Sequence, residues 1–211
     1  MSIQKQWENI MNNYEKKGLG DKATIFAHEI FSHFEGKKNL LDLGAGLGQD
    51  SRFFCEKGFM VTSTDFSSTA LEISKQKDKS NNIKYCKVDL GEIIPFENES
   101  FDVVYSHLAL HYLNHEKTQR MFNEIHRILK KDGIIASIFN TIEDPEIKEE
   151  NFEKIEDNYY LDSWGMKKRY FCVECLDDFT KGKFDPVIID NKGKTYKDDI
   201  ECLIRLVARK I

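Results

Sequence analysis

Residues 40–50 read LLDLGAGLGQD. A short apolar run meets three glycines at alternate positions and then the polar opening of a helix, with no spare residues between. Gly44, Gly46 and Gly48 let the backbone turn tightly and let a ligand reach the main chain without meeting a Cβ. A strand that turns at once into a helix is the first half of a parallel crossover unit, which commits the chain to an α/β fold.

The rest of the chain alternates in the same way. FMVTST (59–64), IKYCKV (83–88), 101–106 and GIIASIF (133–139) read as strands. Between them Gln49 to Lys57, Ser67 to about Asp78, and Glu116 to Lys131 carry helical periodicity, and Asp132-Gly133 is expected to turn the chain into the fifth strand. Ahead of the sheet, Ile3, Trp7, Ile10 and Tyr14 share one face of a first helix, and Phe26, Ile30 and Phe34 share a face of a second, with Asp21 as its expected cap. Near the end, 170–181 reads as a helix, and FDPVIID (184–190) and ECLIRLVAR (201–209) as an antiparallel hairpin through NKGK. The pattern is a doubly wound, mostly parallel sheet, which binds ligands at the carboxyl ends of its strands. That directs attention to the residues just after 43, 64, 88 and 106.

Carboxylates stand at three of these ends. Asp42 lies two residues before the first glycine, where it would repel a dinucleotide pyrophosphate and suit a cationic ligand. The dinucleotide pattern G-x-G-x-x-G also fails, because the third glycine comes one position early and Gln49 follows it. Asp65, 21 residues after Gly44, can accept both hydroxyls of a ribose. Asp89 can accept from an adenine amine. Each aspartate by itself also reads as a cap or turn residue.

Other features limit the options. Lys and Arg total 31 against 36 Asp and Glu, a net charge of −5, which argues against a nucleic-acid partner. Val103 to Asn114 is free of charged residues and proline but too short to span a bilayer, and the N-terminus has no apolar leader, so a cytoplasmic protein with no membrane partner is expected. The five cysteines are odd in number and irregularly spaced. No disulfide framework is expected; Cys172 and Cys175 read as small apolar residues on a helix face, and Cys55 and Cys86 as core residues. His107, His111 and His115 recur every four residues, but without further ligands no metal is expected. His111 reads as a general base or an acceptor-orienting donor, against the plainer reading of a packed histidine.

Residues 141–165 hold nine acidic residues and two lysines, a local charge of −7 that leaves +2 for the remainder. Phe152, Tyr159, Tyr160 and Trp164 stand among them. Four large aromatics are costly to expose. The segment is therefore read as an insertion over the sheet edge, aromatics inward and carboxylates to water, walling a pocket for a planar or partly apolar small molecule. Met166 to Arg169 is read as a brief basic patch.

LLDLGAGLGQD, VTSTDFS, VDL, FDVVYSHLALHYL and LKKDGIIASIF, in that order, resemble the motifs of class I S-adenosylmethionine-dependent methyltransferases of the small-molecule type that includes ubiquinone-biosynthesis and tellurite-resistance relatives. The tail from RYFCVECLDDF to IRLVARK resembles the family's last helix and hairpin. The resemblance implies a Rossmann-like sheet of order 3-2-1-4-5-7-6 in a single domain over 1–211, with 1–36 as a helical lid and 141–169 as the insertion. It implies S-adenosylmethionine as cofactor and a small-molecule acceptor as partner. By position, Asp42, Gly44, Ala45 and Gly46 would line the methionine moiety. Asp65 would hold the ribose, with Phe66 along the adenine and Asp89 and Leu90 at its edge. Ser106 and His107 would lie beneath the sulfonium, and Trp7 and Tyr14 would close over the cofactor. The N/D-P-P-Y/F turn of amino-methylating nucleic-acid enzymes is replaced by Ser106-His107-Leu108-Ala109. Two other functions are weighed: a non-catalytic cofactor-binding module acting through the insertion, and a nicotinamide-dependent oxidoreductase.

Overall fold

The computed structural model describes residues 3–148, 152–196 and 203–211; what the sequence leads one to expect of 1–2, 149–151 and 197–202 lies outside the described residues, as does the side chain of Ile3. Ten strands are described: β1 (Asn39–Leu43), β2 (Met60–Asp65), β3 (Lys84–Lys87), β4 (Phe101–His107), β5 (Leu129–Asn140), β6 (Glu153–Glu156), β7 (Tyr159–Leu161), β8 (Lys167–Arg169), β9 (Phe184–Asp190) and β10 (Leu203–Lys210). The α-helices are α1 (Ile3–Lys16), α2 (Ile25–Ile30), α3 (Gln49–Glu56), α4 (Ser68–Lys77), α5 (His115–Ile128) and α6 (Val173–Thr180). One sheet runs β3-β2-β1-β4-β5-β10-β9, and a small second sheet runs β6-β7-β8. Because the three small strands intervene in the chain, the last two strands of the large sheet are numbered above the expected 7 and 6. Strands β1 to β5 pair in parallel, whereas β10 is antiparallel to both of its neighbours.

Both faces of the sheet are covered, and the strands show it by burying consecutive residues. Leu41, Val104, Ile135 and Leu206 point to a core shared with Phe122 and Ile125 of α5 and Leu176 and Phe179 of α6. Their neighbours Leu40, Val103, Ile134 and Val207 point the other way, onto Phe26 and Ile30 of α2, Phe34, and Phe53 and Phe54 of α3. Alternation across a pleated strand makes each apolar pair serve two cores. A smaller cluster, Met11, Leu47, Ala70 and Ile73, seats α1 through Trp7 and Ile10 on α4 and the glycine turn.

The cap of α2 is Thr24, whose hydroxyl accepts from the Ala27 amide at 3.2 Å. Asp21, expected in that role, instead pairs with Lys77 at 2.8 Å, because the intervening residues turn before the helix begins. Helix α5 ends three residues earlier than expected. Leu129 already pairs with Phe101, and the expected turn at Asp132-Gly133 is a bulge inside β5, with Asp132 at φ 59° and pairing resumed at Ile134. The read turn and the observed strand coexist because a bulge accommodates left-handed backbone without ending the ladder.

Cys172 and Cys175 are joined as a disulfide, correcting their reading as simple apolar residues. The cause is local: Cys172 caps α6, its sulfur accepting the Cys175 amide at 3.0 Å, so one turn of helix brings the two sulfurs together. Cys55 and Cys86 are half-buried at core margins.

Beneath the open edge of the sheet lies a buried polar knot. The Asp50 carboxylate accepts from the Thr24 amide at 2.7 Å, the Thr24 hydroxyl at 3.0 Å and the Tyr105 hydroxyl at 2.7 Å. It ties α2, α3 and β4 together at one point. Tyr105→Phe removes one donor to a buried charge and is expected to cost about 1.5–3 kcal/mol of stability. Urea unfolding of the variant checks this; a midpoint equal to that of the unmutated protein would show that the knot does not hold these elements.

Candidate active site

The carboxyl ends of β1, β2 and β4 open into a cavity of about 940 Å³. The glycine turn after β1 forms one wall. At Gly44, at φ 70°, a Cβ would stand 2.3 Å from the Cβ of Ala109; at Gly48, at φ 72°, it would stand 1.7 Å from the Ser74 hydroxyl. Both positions therefore demand glycine for backbone and for space. At Gly46 a Cβ would meet nothing nearer than the Met11 sulfur at 3.8 Å, so this part of the turn faces the cavity.

Trp7, Tyr14, Asp42, Gly44, Ala45, Gly46, Asp65, Phe66, Asp89, Leu90, His107 and His111 all line the cavity. Ser106 does not. It is buried, and its hydroxyl donates to the Leu43 carbonyl at 2.9 Å, bracing β4 against β1. The correction follows from strand alternation: His107 and Ser106 are consecutive, so they face opposite ways.

Asp65 does more than end a strand. One carboxylate oxygen accepts the Gly46 amide at 2.8 Å and the other the Ser67 amide at 2.8 Å. It thus pins the glycine turn to β2 and opens α4, while each oxygen keeps a lone pair for a ligand. Burial raises its pKa, against the pull of those amides. Asp89 accepts the Gly91 amide at 2.7 Å and is exposed at the cavity rim, and Lys87 lies 5.7 Å over the Phe66 ring.

Asp42 is almost wholly buried; the Ser51 hydroxyl donates to it at 2.6 Å. Burial pushes its pKa up to about 8, with repulsion from Asp50 and Asp65 adding and the Ser51 bond opposing. This is a carboxylate without a cation beside it.

His107 ends β4, and His111 follows in a single 3-10 turn, Leu110–Tyr112. His107 Nε2 and His111 Nδ1 are buried and lack a hydrogen-bond partner within the protein. Burial, then the Lys168 ammonium and His107, push His111 down to about 3. His107 is also lowered by burial. Both imidazoles are neutral at pH 7. Among the described residues no cluster of three or more His, Cys, Asp or Glu could hold a metal ion, and no helix is long and apolar enough to cross a membrane.

The insertion covers the far side. Ile155, Glu156, Tyr159, Met166, Lys167 and Lys168 reach the cavity. Of the four aromatics expected inward, Tyr159 lines it, Tyr160 packs 5.7 Å from Tyr170, and Phe152 is half-buried. Trp164 is 81% exposed. Its turn is fixed by Asp162, whose carboxylate accepts the amides of Trp164 at 2.9 Å and Met166 at 2.8 Å, and that geometry throws the indole outward. The basic patch is β8. Arg169 is buried, bonded to Glu156 and to the carbonyls of Leu113 and Asp157, both at 3.2 Å.

Other residues also line the cavity. Met11 and Tyr112 come from α1 and the 3-10 turn, and Thr195 and Tyr196 from the connection between β9 and β10. Instead of a tight hairpin at NKGK, this connection returns to the cavity, where Tyr196 accepts from Gln49 at 2.9 Å and lies 5.8 Å from the His107 ring.

The raised Asp42 has a consequence for stability. Its carboxyl holds a proton in the folded chain up to about pH 8, whereas the unfolded chain loses it near the ordinary value of 3.8. The protonated state favours folding, so stability falls as pH rises toward 8. The two lowered histidines act oppositely, but only below their ordinary value of 6.5. Between pH 6.5 and 8 stability is expected to fall by up to about 1.4 kcal/mol per unit. In Asp42→Asn the slope should vanish. Denaturant melts across this window decide, and a slope retained in the variant would assign it to another group.

The chain matches a family model described as a methyltransferase domain over residues 41–137. An uncharacterised protein of Methanocaldococcus jannaschii is 27% identical over 91% of this chain and 72% of its own length. An uncharacterised methyltransferase of Synechocystis is 32% identical over 48% of this chain and 46% of its own. The chain spans less than half the length of the curated methyltransferases it matches. The solved structure of Burkholderia thailandensis 1,6-didemethyltoxoflavin-N1-methyltransferase, with bound 1,6-didemethyltoxoflavin and S-adenosylhomocysteine, superposes at a TM-score of 0.71. It covers 100% of this chain and 91% of the other at 16% identity, a likeness of fold. Motifs, sheet order and family model agree: residues 41–137 match a methyltransferase domain, set in a Rossmann-like methyltransferase fold.

Proposed function

We propose that the protein transfers the methyl group of S-adenosylmethionine to a small molecule held beneath the insertion. The observation that carries this reading is Asp42, a buried carboxyl raised to about 8 beside the open face of Gly46, with no cation of the protein against it. A ligand bearing a positive charge and no phosphate relieves that cost, whereas a pyrophosphate adds to it. The cofactor supplies an activated methyl group on a sulfonium.

The residues then divide the work by position. Asp42, Gly44, Ala45 and Gly46 take the methionine portion, and Asp65 offers its remaining lone pairs to the ribose. Phe66 and Leu90 sandwich the adenine and Asp89 accepts from its edge. Trp7 and Tyr14 close the near side, Trp7 braced edge-on against Tyr112 at 4.8 Å. Residues 1–36 and 141–169 act as lid and wall of a single domain. Where they meet, Gln6 donates to the Trp164 carbonyl at 3.2 Å. Enclosure excludes water and holds acceptor and methyl in line, worth about 7–11 kcal/mol of barrier when alignment is good. His111, held neutral, orients the acceptor rather than removing a proton, since a base near pKa 3 has little affinity for one at pH 7. The likeness in fold to a structure with bound 1,6-didemethyltoxoflavin and S-adenosylhomocysteine supports a small-molecule acceptor.

Calorimetry tests the reading. S-adenosylmethionine and S-adenosylhomocysteine should each bind at one site and NAD should not. Because both carry an ammonium group, their binding at pH 7 should ionise Asp42 and release a proton, seen as a heat that varies with the buffer's ionisation enthalpy. Asp42→Asn should abolish that variation. Tight NAD binding without S-adenosylhomocysteine binding would overturn the assignment.

A further inference from the structure

The acceptor end of the cavity differs chemically from the cofactor end. Asp42, Asp65 and Asp89 stand around the glycine turn. Across from them the charged residues of the insertion that reach the cavity are Lys167, Lys168 and Glu156. Glu156 is already committed, since Arg169 bonds to it and the His115 amide donates to it at 2.6 Å. Lys168 is 20% exposed and lines the cavity; its ammonium, which donates to both Glu146 carboxylate oxygens at 3.3 and 3.4 Å, is the nearby cation acting on His111. Its carboxylate partners, Glu146 at 3.3 Å and Asp162 at 3.9 Å, are not among the cavity's lining residues. Both hold other donors: the Tyr170 hydroxyl on Glu146 at 2.5 Å, and the amides of Trp164 and Met166 on Asp162.

His107 Nε2 and His111 Nδ1 are two buried imidazole nitrogens that the protein leaves unmatched, and both residues line the cavity. A buried polar atom without a partner is costly and marks a place where a ligand atom belongs. Tyr112, Tyr159, Tyr196 and Met166 supply flat or pliable apolar walls around it. The set thus offers an ammonium, neutral imidazoles and aromatic faces.

Building on the methyltransferase reading, we propose that the acceptor is a planar molecule bearing an oxyanion, an aromatic or conjugated carboxylate, held by Lys168 and His111 and methylated on that oxygen. A lone pair of the carboxylate oxygen forms the O–C bond to the methyl carbon. The C–S bond breaks as this forms, and its electron pair stays on sulfur. The products are a neutral methyl ester and a neutral thioether, and no proton moves. An ammonium or alcohol acceptor would have to give up a proton, and His111, held low by burial and Lys168, does not take one at pH 7. The oxyanion needs only donors, and His111 with Nδ1 protonated is one.

The test reads binding first and chemistry second. The protein saturated with S-adenosylhomocysteine is titrated with benzoate, cinnamate and indole-3-carboxylate, and with the matching amides and aminomethyl compounds. The carboxylates are expected to bind at least tenfold more tightly than their isosteres. Lys168→Met and His111→Phe should each lower carboxylate affinity tenfold or more while S-adenosylhomocysteine affinity stays within twofold. Lys168→Arg should restore most of the loss, which a merely misfolded variant would not allow. With labelled S-adenosylmethionine, the product should be a base-labile methyl ester. Equal affinity for carboxylates and isosteres, including no binding by either, or unchanged carboxylate affinity in Lys168→Met, overturns the proposal. Failure of S-adenosylhomocysteine to bind the unmutated protein would instead overturn the methyltransferase reading beneath it.

Discussion

The bond from the Gly46 amide to the Asp65 carboxylate, 2.8 Å long, is the contact on which the site depends. A turn built from three glycines with positive φ has little conformational preference of its own and needs an external anchor. Asp65 supplies it from the neighbouring strand, and its second oxygen opens α4 through Ser67. From the other side Asp50, in the first turn of α3, draws in Thr24 and Tyr105. The glycine turn is thereby fixed between two carboxylates, and the main-chain face at Gly46 stays open to a ligand.

This arrangement keeps several acids within a small volume, and their burial sets the electrostatics. Asp50 is satisfied by three donors, and Asp65 by two amides with capacity left. Asp42 has one hydroxyl. The least satisfied carboxyl is therefore the one that a cationic ligand would meet, and the site is tuned by unequal hydrogen bonding rather than by the number of charges.

The insertion shows how poorly local charge reports on a surface. Residues 141–165 carry −7 in sequence, yet among their described acids only Glu156 lines the cavity, beside Ile155 and Tyr159; the lysines there, Lys167 and Lys168, follow the segment. The carboxylates are drawn off into structural duties: Glu156 on Arg169, Glu146 on Lys168 and Tyr170, Asp162 on its own turn. Arg169, which the sequence presents as surface charge, is buried because it must reach both Glu156 and the Leu113 carbonyl.

The sequence by itself determined the alternation of strands and helices, the position of the glycine turn, and the acids at three strand ends. Those features are local, written in periodicity and in the few residues that tolerate left-handed backbone. From them the carboxyl edge and the lining residues at the strand ends were legible. Tertiary structure alone decided the rest. The orientation of Ser106 away from the cavity depends on which face of β4 meets which core, and the capping of α2 by Thr24 depends on the distant Asp50. Tyr112, Met166, Lys168 and Tyr196 come together from three separate segments, and of these four only Tyr112 lies in a motif. The physical reason is that a cofactor site of this fold is built on one turn whose geometry fixes its residues. The proposed acceptor site is built where chain segments converge, and convergence is a property of packing.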